Sequence, residues 1–429
     1  MPPTHPASDN TPPIPPEPPA DWAYDHRDTA LGLAVAEPQA APPTPELTWG
    51  ASVDGLDYPM LEDTDWARPR TTTVFAPQDN GLDWHYNHHV YVRGHAGVLY
   101  LMHSQATCAE DAAGNRVLLW TSRDRGDSWA GPYVLAANLD LAGGVDEPDP
   151  ERPGRVVYPG QWLALDGRFY ALMVVDDCGR RRRDGRSRPR LGRGYLAREV
   201  GPDGARDEPF WIHEHVPPYR DDADLLDPPY RADPGQALLE LLRQPGSFPP
   251  YGSVPMPGNQ PWCNAAVFGP DIRLINPTTY RLPDGRWLRL YRNVARRTAH
   301  GMHDTRVYAR CSWDGSTWSE PVRTPIPTSP MFHDGQWLSN GLLAYIGNPC
   351  RPQRDPLMIA FSRDGLNFPA HAAFAVRRDV PTKPRITGHG KGGGAQQASF
   401  AEVAGRLIVA YSIAKEDVVV TTLDLPPTL

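Results

Sequence analysis

A set of proton-transfer side chains is concentrated in residues 84–90, WHYNHHV. His88 and His89 carry imidazoles, which titrate near neutral pH, and Tyr86 supplies a phenol two residues earlier. Neighbouring side chains of a strand point to opposite faces, so we expect only one of the two histidines to face a binding site. We predict that this histidine and Tyr86 transfer protons in catalysis.

Carboxylates and cations form a second set of candidates. Glu416 and Asp417 are predicted catalytic residues, because carboxyl groups serve as general acid and base at a glycosidic bond, and Glu110 and Asp111 are further candidates. Arginine binds a carboxylate through two parallel hydrogen bonds, and lysine adds a point charge. The predicted binding residues for an anionic ligand or sugar carboxylate are Arg292, Arg385, Lys391, Gln397, Lys415, His103 and Asn276.

Strands must position these side chains, because a strand–turn–strand unit recurs along the chain. Residues 116–129, RVLLWTSRDRGDSW, read as a strand followed by the turn S-x-D-x-G-x-x-W. Shorter copies are RVYARCSWDGSTW at 306–318 and PLMIAFSRDGLNF at 356–368. An Asp that accepts backbone N–H groups, a Gly that tolerates positive φ and an aromatic anchor together predict a hairpin corner. Its repetition predicts an array of such units.

The string S-x-D-x-G-x-x-W resembles the Asp-box, or BNR repeat, of the sialidase superfamily, whose folds are β-propellers. The resemblance covers residue 87 to the C-terminus, and YNHH in the first unit and YSxxKED in the last are similar to bacterial proteins of this type. The F/Y-R-I-P arginine motif of true sialidases has no clear counterpart, since the nearest string is ARPR at 67–70. The resemblance implies a propeller fold and a function in carbohydrate metabolism.

We therefore expect an all-β protein with one sialidase-like β-propeller over residues 46–429, after a disordered proline-rich tail over residues 1–45. Residues 71–77 form an early strand that can complete the last blade and remove a free sheet edge. A short helix is predicted over residues 233–244, where Asp233 and Pro234 suit a helix start. Strand units occur at 87–135, 155–214, 272–325, 335–376 and 395–424. Propellers of this type usually have six blades, so we expect six, with five as the alternative.

The strand order within a blade predicts where the candidate residues lie. If four antiparallel strands follow one another, the turns between strands one and two and between strands three and four share the bottom face. The S-x-D turns are of the second kind, so they are predicted to be structural. The starts of the innermost strands and the loops between strands two and three share the top face, where function is expected.

Composition excludes some classes of function. The chain has 429 residues and a net charge of −8, which argues against binding nucleic acid through bulk charge. Its five cysteines are odd in number and lack the spacing of a disulfide framework or zinc motif, and we expect no cofactor and no metal site. We expect no membrane span and, because no leader sequence is visible, a cytoplasmic location.

Three functions remain open. We favour a glycoside hydrolase that cleaves an acidic glycan. The first alternative is a polysaccharide lyase, which would use a histidine and Tyr86 for proton transfer and an arginine such as Arg292 to neutralise a uronate carboxylate. The second alternative is a propeller that binds glycans without cleaving them. The sequence leaves the sugar, the linkage and the oligomeric state open.

Overall fold

The structure is a computed structural model, and it describes residues 40–51, 58–77, 84–107, 115–137, 154–178, 190–214, 228–247, 254–255, 261–262, 266–267, 271–295, 297–298, 301–302, 304–329, 331–349, 354–388 and 390–427. These residues form five main β-sheets, the blades of one propeller ring, and one short α-helix. Residues 1–39 of the predicted tail lie outside the described residues, and the tail boundary at residue 45 stays a prediction. Pro42 is buried, and Thr44 Oγ1 lies 2.6 Å from Ser319 Oγ.

The blades follow the order of the chain. Strands β1 (Thr48–Trp49) and β2 (Arg70–Phe75) precede the first blade, with a 3₁₀ turn at Leu61–Asp63 between them. The first blade contains β3 (Tyr86–His95), β4 (Val98–Ala106), β5 (Arg116–Ser122) and β6 (Ala130–Ala137). The second contains β7 (Gly154–Leu165), β8 (Arg168–Cys178), β9 (Arg190–Gly201), β10 (Gly204–Ala205) and β11 (Phe210–Trp211).

A helical segment separates the second blade from the third. Helix α1 (Ala232–Arg243) has extended backbone at Asp233, so regular helix begins at Pro234 as predicted, and a 3₁₀ turn at Pro245–Ser247 follows it. Leu238 and Leu242 are fully buried against apolar residues of β8, and the 3₁₀ turn lies against the innermost strand of the third blade. This segment therefore bridges the two blades.

The remaining strands form three further blades. Strands β12 (Val254–Pro255) and β13 (Pro261–Trp262) pair with each other. The third blade contains β14 (Ala266–Val267), β15 (Arg273–Arg281), β16 (Trp287–Asn293), β19 (Arg306–Ser312) and β20 (Val322–Pro327), and the pair β17 (Arg297–Thr298) and β18 (Gly301–Met302) lies between β16 and β19 in sequence. The fourth contains β21 (Asp334–Trp337), β22 (Leu343–Gly347), β23 (Leu357–Ser362) and β25 (Ala373–Arg377), with β24 (Asn367–Phe368) and a 3₁₀ turn at Ala370–Ala372 before β25.

The fifth blade closes the ring. It contains β26 (Ala395–Val403), β27 (Arg406–Ile413) and β28 (Asp417–Asp424), and β2 from the N-terminal part of the chain is its outer strand, with Thr72 opposite Val420. This confirms the prediction that an early strand completes the last blade. The described residues hold five blades, which confirms the five-blade alternative rather than the expected six.

The core lies between the blades. Every residue of β4 is buried, because the two faces of this second strand pack on different neighbours. Leu99 and Leu101 pack against the fifth blade, whereas Tyr100 and Met102 pack against the second. The apolar run of β4 is therefore continuous, as expected of a strand enclosed on both faces.

The three S-x-D turns join the third and fourth strands of their blades. In the first turn Ser122 Oγ donates to Asp124 Oδ1 at 2.8 Å and accepts from the N–H of Gly126 at 2.8 Å. The turns at 312–318 and 362–368 repeat both hydrogen bonds. Gly126 has φ +91°, a conformation that side chains rarely adopt. These turns lie at the ends of the blades opposite to the starts of the innermost strands.

Candidate active site

A one-residue bulge near the top of four innermost strands shapes the top face of the propeller. The register with the second strand shifts between His88 and Tyr91, Pro159 and Gln161, Ile275 and Thr278, and Gln396 and Ser399. The inserted positions include His89, Asn276 and Gln397, with φ of +53°, +49° and +53°. Bulges of this kind redirect side chains beside active sites.

The bulge overturns the expected alternation of His88 and His89. Their ring centroids lie 4.7 Å apart, so the two imidazoles are neighbours rather than on opposite faces. His89 Nδ1 lies 2.7 Å from Ser104 Oγ, and its ring packs edge-on against Tyr158 at 5.1 Å. The ring of Tyr86 is 5.9 Å from that of His88. The predicted proton-transfer residues of the first blade are therefore grouped together.

His88 is the candidate base. It is fully buried, its Nδ1 lies 2.9 Å from Ser412 Oγ, and its Nε2 has no hydrogen-bond partner in the part of the chain that the structure describes. Ser412 Oγ donates to Gln396 O at 3.4 Å, which leaves the hydroxyl oxygen to accept from Nδ1–H. We assign this tautomer from the hydrogen-bond pattern, and it places a lone pair on Nε2.

Cations from three blades surround His88. Burial lowers the pKa of His88 well below its usual range, and Lys415, His89, Arg354 and Arg292 lower this pKa further. Lys415 Nζ lies 5.7 Å from the ring centre of Tyr86, which places it over the same group of aromatic side chains. Because positive charge opposes protonation, His88 is neutral at neutral pH.

Arg292 is oriented by another predicted residue. Its Nε donates to Asn276 Oδ1 at 2.8 Å, and Nη1 lies 3.9 Å from Met331 Sδ. Asn276 lies on a bulge of β15, and Arg292 lies on β16. The side-chain oxygen of Asn276 thus fixes one edge of the guanidinium beside the histidines.

Arg354 was missed by the sequence reasoning. It lies in the loop between β22 and β23, has φ +54°, and donates through Nη1 to Gln396 Oε1. This loop joins strands two and three of its blade, which is the position that the top-face rule singles out. Its local sequence, CRPQRDP at 350–356, resembles an ordinary charged loop and gives no signal that marks Arg354.

Four of the predicted site residues form an ion-pair network with one another. They are Arg385, Lys391, Glu416 and Asp417. Glu416 Oε1 accepts from Lys391 Nζ at 2.5 Å, and Glu416 Oε2 accepts from Arg385 Nε at 3.1 Å. Arg385 Nη2 also donates to Asp417 Oδ1 at 2.5 Å. Burial opposes ionisation of Glu416, but hydrogen bonds from Lys391 and from the backbone outweigh it, and the pKa of Glu416 is lowered. Glu416 is thus held ionised, which does not suit a general acid.

No family model matches the sequence, and no curated protein matches it. The structure is similar to that of a solved sialidase at a TM-score of 0.64 and 22% identity, over 88% of this chain and 34% of that chain. The fold is a sialidase-like β-propeller. The chain spans about a third of the length of that sialidase, 34%.

Two further solved structures share this propeller fold. A protein of unknown function from Dyadobacter fermentans matches at a TM-score of 0.53 and 12% identity, over 85% of this chain and 100% of that chain. The NanB sialidase from Streptococcus pneumoniae matches at a TM-score of 0.50 and 9% identity, over 82% of this chain and 70% of that chain. At these identities the likeness concerns the fold.

Two buried polar atoms of the propeller's innermost strands have no hydrogen-bond partner among the described residues. Gln397 is 4% exposed, and the unpartnered atom is its Oε1. Asp334, at the start of β21, is 6% exposed, burial raises the pKa of its carboxyl, and the unpartnered atom is its Oδ2. Gln397 was predicted, whereas Asp334 was missed although it occupies the start of an innermost strand.

The remaining predictions fall elsewhere. His103 is fully buried in the core between the first and fifth blades, where Trp120 Nε1 donates to its Nε2 at 3.1 Å and Phe75 stacks on its ring. Glu110 and Asp111 lie outside the described residues. Among the described residues, no group of three or more histidine, cysteine or acidic side chains can hold a metal ion. The described part of the chain contains no helix of the length and apolar character needed to span a membrane.

Proposed function

We propose that the protein is a carbohydrate-active enzyme that binds an acidic glycan at the top of the propeller, beside His88. The observation that carries the proposal is a neutral, buried imidazole whose Nε2 has no hydrogen-bond partner among the described residues and whose pKa is lowered by burial and by Lys415, Arg354 and Arg292 from three blades. Such a group of cations attracts a carboxylate, because guanidinium groups bind it in a planar geometry and lysine adds charge. The fold likeness to sialidases supports a glycan as the ligand.

Among the described groups, the chemistry that fits best is elimination rather than hydrolysis. Hydrolysis of a glycosidic bond uses two carboxyl groups, and Glu416 is occupied by Lys391, Arg385 and backbone donors. An imidazole base and cations beside a carboxylate are what β-elimination of a uronic acid requires. The favoured proposal is therefore a polysaccharide lyase, which is the first alternative from the sequence.

The elimination step assigns a role to each residue. His88 Nε2 takes the proton from the carbon next to the uronate carboxylate, and Arg292 and Arg354 stabilise the negative charge that develops there. The electron pair of the C–H bond forms a carbon–carbon double bond, and the glycosidic C–O bond breaks. Tyr86 is the candidate donor of a proton to the leaving oxygen. Its phenol lies beside His88, under the ammonium of Lys415.

Hydrolysis is the second candidate, and Asp334 is the observation that favours it. A buried carboxyl with a raised pKa on an innermost strand has the property of a general acid. It would act with a second carboxylate, for which Glu110 and Asp111 stay predictions.

One incubation separates these functions. The purified protein is mixed with uronate-containing oligosaccharides and, separately, with sialosides. Elimination produces an unsaturated uronate that absorbs at about 235 nm, and we expect this absorbance with the uronate-containing oligosaccharides. New reducing ends without this absorbance would support hydrolysis, and binding without product would support the non-catalytic alternative. Neither binding nor product with any acidic glycan would reject the proposed function.

A further inference from the structure

We infer that Glu416 and Lys391 form a buried positioning pair that holds residues 85–88 and Lys415 in the geometry of the candidate site. The inference rests on the proposed function for its effect on turnover. Its structural content, which is the placement of Lys415 beside His88, can be tested on the protein alone. Glu416 was predicted to be catalytic and Lys391 to bind the ligand. In this inference both instead position the residues that carry out catalysis and binding.

The carboxylate of Glu416 accepts hydrogen bonds from donors of its own blade. Besides Lys391 Nζ, Oε1 accepts from the N–H of Ile386 at 2.9 Å, and Oε2 accepts from both the N–H and Nε of Arg385, at 2.8 and 3.1 Å. The Glu416 side chain is 2% exposed. Four hydrogen bonds in a buried place hold the carboxylate firmly, and they attach the segment before β26 to the turn between β27 and β28.

Lys391 extends this attachment to the first blade. Its side chain is 0% exposed, and its ammonium donates to Glu416 Oε1 and, at 3.1 Å, to the carbonyl oxygen of His85. A buried ammonium needs a counter-charge, and Glu416 supplies it. The pair therefore connects the last blade to the residue directly before Tyr86.

A second connection between the two blades lies two residues after His85, at Asn87 in β3. The N–H of Asn87 donates to the carbonyl oxygen of Lys415 at 2.7 Å. Lys415 lies at the tip of a tight turn, with φ of +54° and +58° at Ala414 and Lys415, and the N–H of Glu416 closes the turn on Ile413 O at 2.9 Å. Tyr86 is thus held between two inter-blade hydrogen bonds, and Glu416 adjoins both of them.

The consequence for His88 follows from this placement. Lys415 is the cation with the largest effect on the His88 imidazole, ahead of Arg354 and Arg292, and His89 is the other titratable group that acts on it. If the pair is removed, the turn at Lys415 and the strand at 85–88 lose their common anchor. The ammonium of Lys415 can then move away from His88, and protonation of His88 becomes easier.

The test uses the double variant Lys391→Met/Glu416→Gln, because removing both charges avoids leaving one of them buried alone. The protonation of His88 is followed by NMR titration of its side chain, assigned with His88→Gln. We expect the titration midpoint to rise by about half a pH unit or more, since a neighbouring charge shifts a buried group by this order. With an active substrate, kcat should fall and KM should change little.

The matched control is Asp304→Asn, which removes another buried carboxylate that is paired with an arginine, Arg323, in the third blade. It should lower the melting temperature and leave the His88 midpoint unchanged. An unchanged midpoint in the double variant, with a loss of stability like that of the control, would overturn the inference. If the double variant does not fold, Glu416→Asp is measured, which keeps both charges and shortens the side chain that anchors the turn, and the same upward displacement or its absence decides. Absence of activity in the wild type would reject the proposed function and leave this titration valid.

Discussion

At the scale of single residues, the site depends on keeping an imidazole neutral. His88 is buried, and the charges around it are positive, so both burial and electrostatics lower its pKa. A group of this kind is ready to accept a proton over a wide pH range, although it is a weaker base than an exposed histidine. Arg292 and Arg354 assist such a base when the substrate carries a carboxylate, because they stabilise the negative charge that develops as the proton is removed.

Replacing His88 with glutamine should lower turnover with little change in KM. The amide can keep a hydrogen bond to Ser412 but cannot take a proton, and loss of a proton-transfer group costs about 10²–10⁴-fold in rate. Steady-state kinetics on the acidic glycan that yields product in the proposed incubation measure the effect. His371→Gln, at an exposed position, serves as the control. Comparable turnover in both variants would show that His88 is not the base.

Replacing Arg292 with methionine should act mainly on binding. The substitution removes the guanidinium that Asn276 orients, and with it a charge-assisted contact to the ligand carboxylate. We expect KM to rise by about tenfold or more, which corresponds to the loss of one such hydrogen bond. Titration calorimetry with a carboxyl-reduced oligosaccharide is the control, since its affinity should not depend on Arg292. Equal losses of affinity for both ligands would argue against carboxylate recognition.

At the scale of elements, the repeated strands and turns were predictable and the bulges were not. The S-x-D strings identified the corners because Ser, Asp and Gly satisfy their own backbone within a few residues. The continuous apolar run of β4 likewise follows from its local sequence. The bulges at His89, Asn276 and Gln397 carry no such local signal, because they depend on register with a second strand. For this reason the sequence grouped His88 and His89 but assigned their directions wrongly, and it missed Arg354.

The S-x-D turns should matter for stability and not for activity. Asp124→Ala removes the acceptor of Ser122, of the Ser128 N–H and of the Ser128 hydroxyl. We expect a loss of about 1–3 kcal/mol in the free energy of unfolding, with unchanged turnover per folded molecule. Asp127→Ala is the control, because the Asp127 side chain is 48% exposed and its ion pairs with described residues are long, at 3.7 and 3.9 Å. A selective loss of turnover in Asp124→Ala, without a lower melting temperature, would contradict the assignment of these turns to the bottom face.

At the scale of the whole molecule, buried histidines make the fold sensitive to acid. Burial lowers the pKa of His103 and of His333 to about 4, and that of His88 is lowered well below its usual range. In the unfolded chain each of these histidines has a pKa of about 6.5, so the unfolded state takes up protons first as the pH falls. The free energy of unfolding is therefore greatest above about pH 6.5, and it decreases below that value by up to about 1.4 kcal/mol per pH unit for each histidine.

Urea unfolding at a series of pH values between about 4 and 8 measures this slope. His333→Gln should reduce it, because the amide can still donate to Leu290 O, as His333 Nε2 does at 3.1 Å, but does not titrate. His371→Gln, at an exposed site, is the control variant. A stability that does not change between about pH 7 and 5 would mean that these imidazoles are not held neutral by the fold.

Pairing of β2 with β28 also determines the order in which the blades of the propeller can assemble. The ribosome releases Arg70–Phe75 before the first blade, whereas its partner Asp417–Asp424 follows the first four blades in the chain. Domains synthesised from the N-terminus begin to fold as they emerge, and contacts between distant parts of a chain form slowly. The first four blades can therefore assemble during translation, while the nascent ring stays open. Because Ser412 contacts His88, and Lys391 donates to the carbonyl oxygen of His85, across that last junction, the candidate site is completed after the fifth blade has been synthesised.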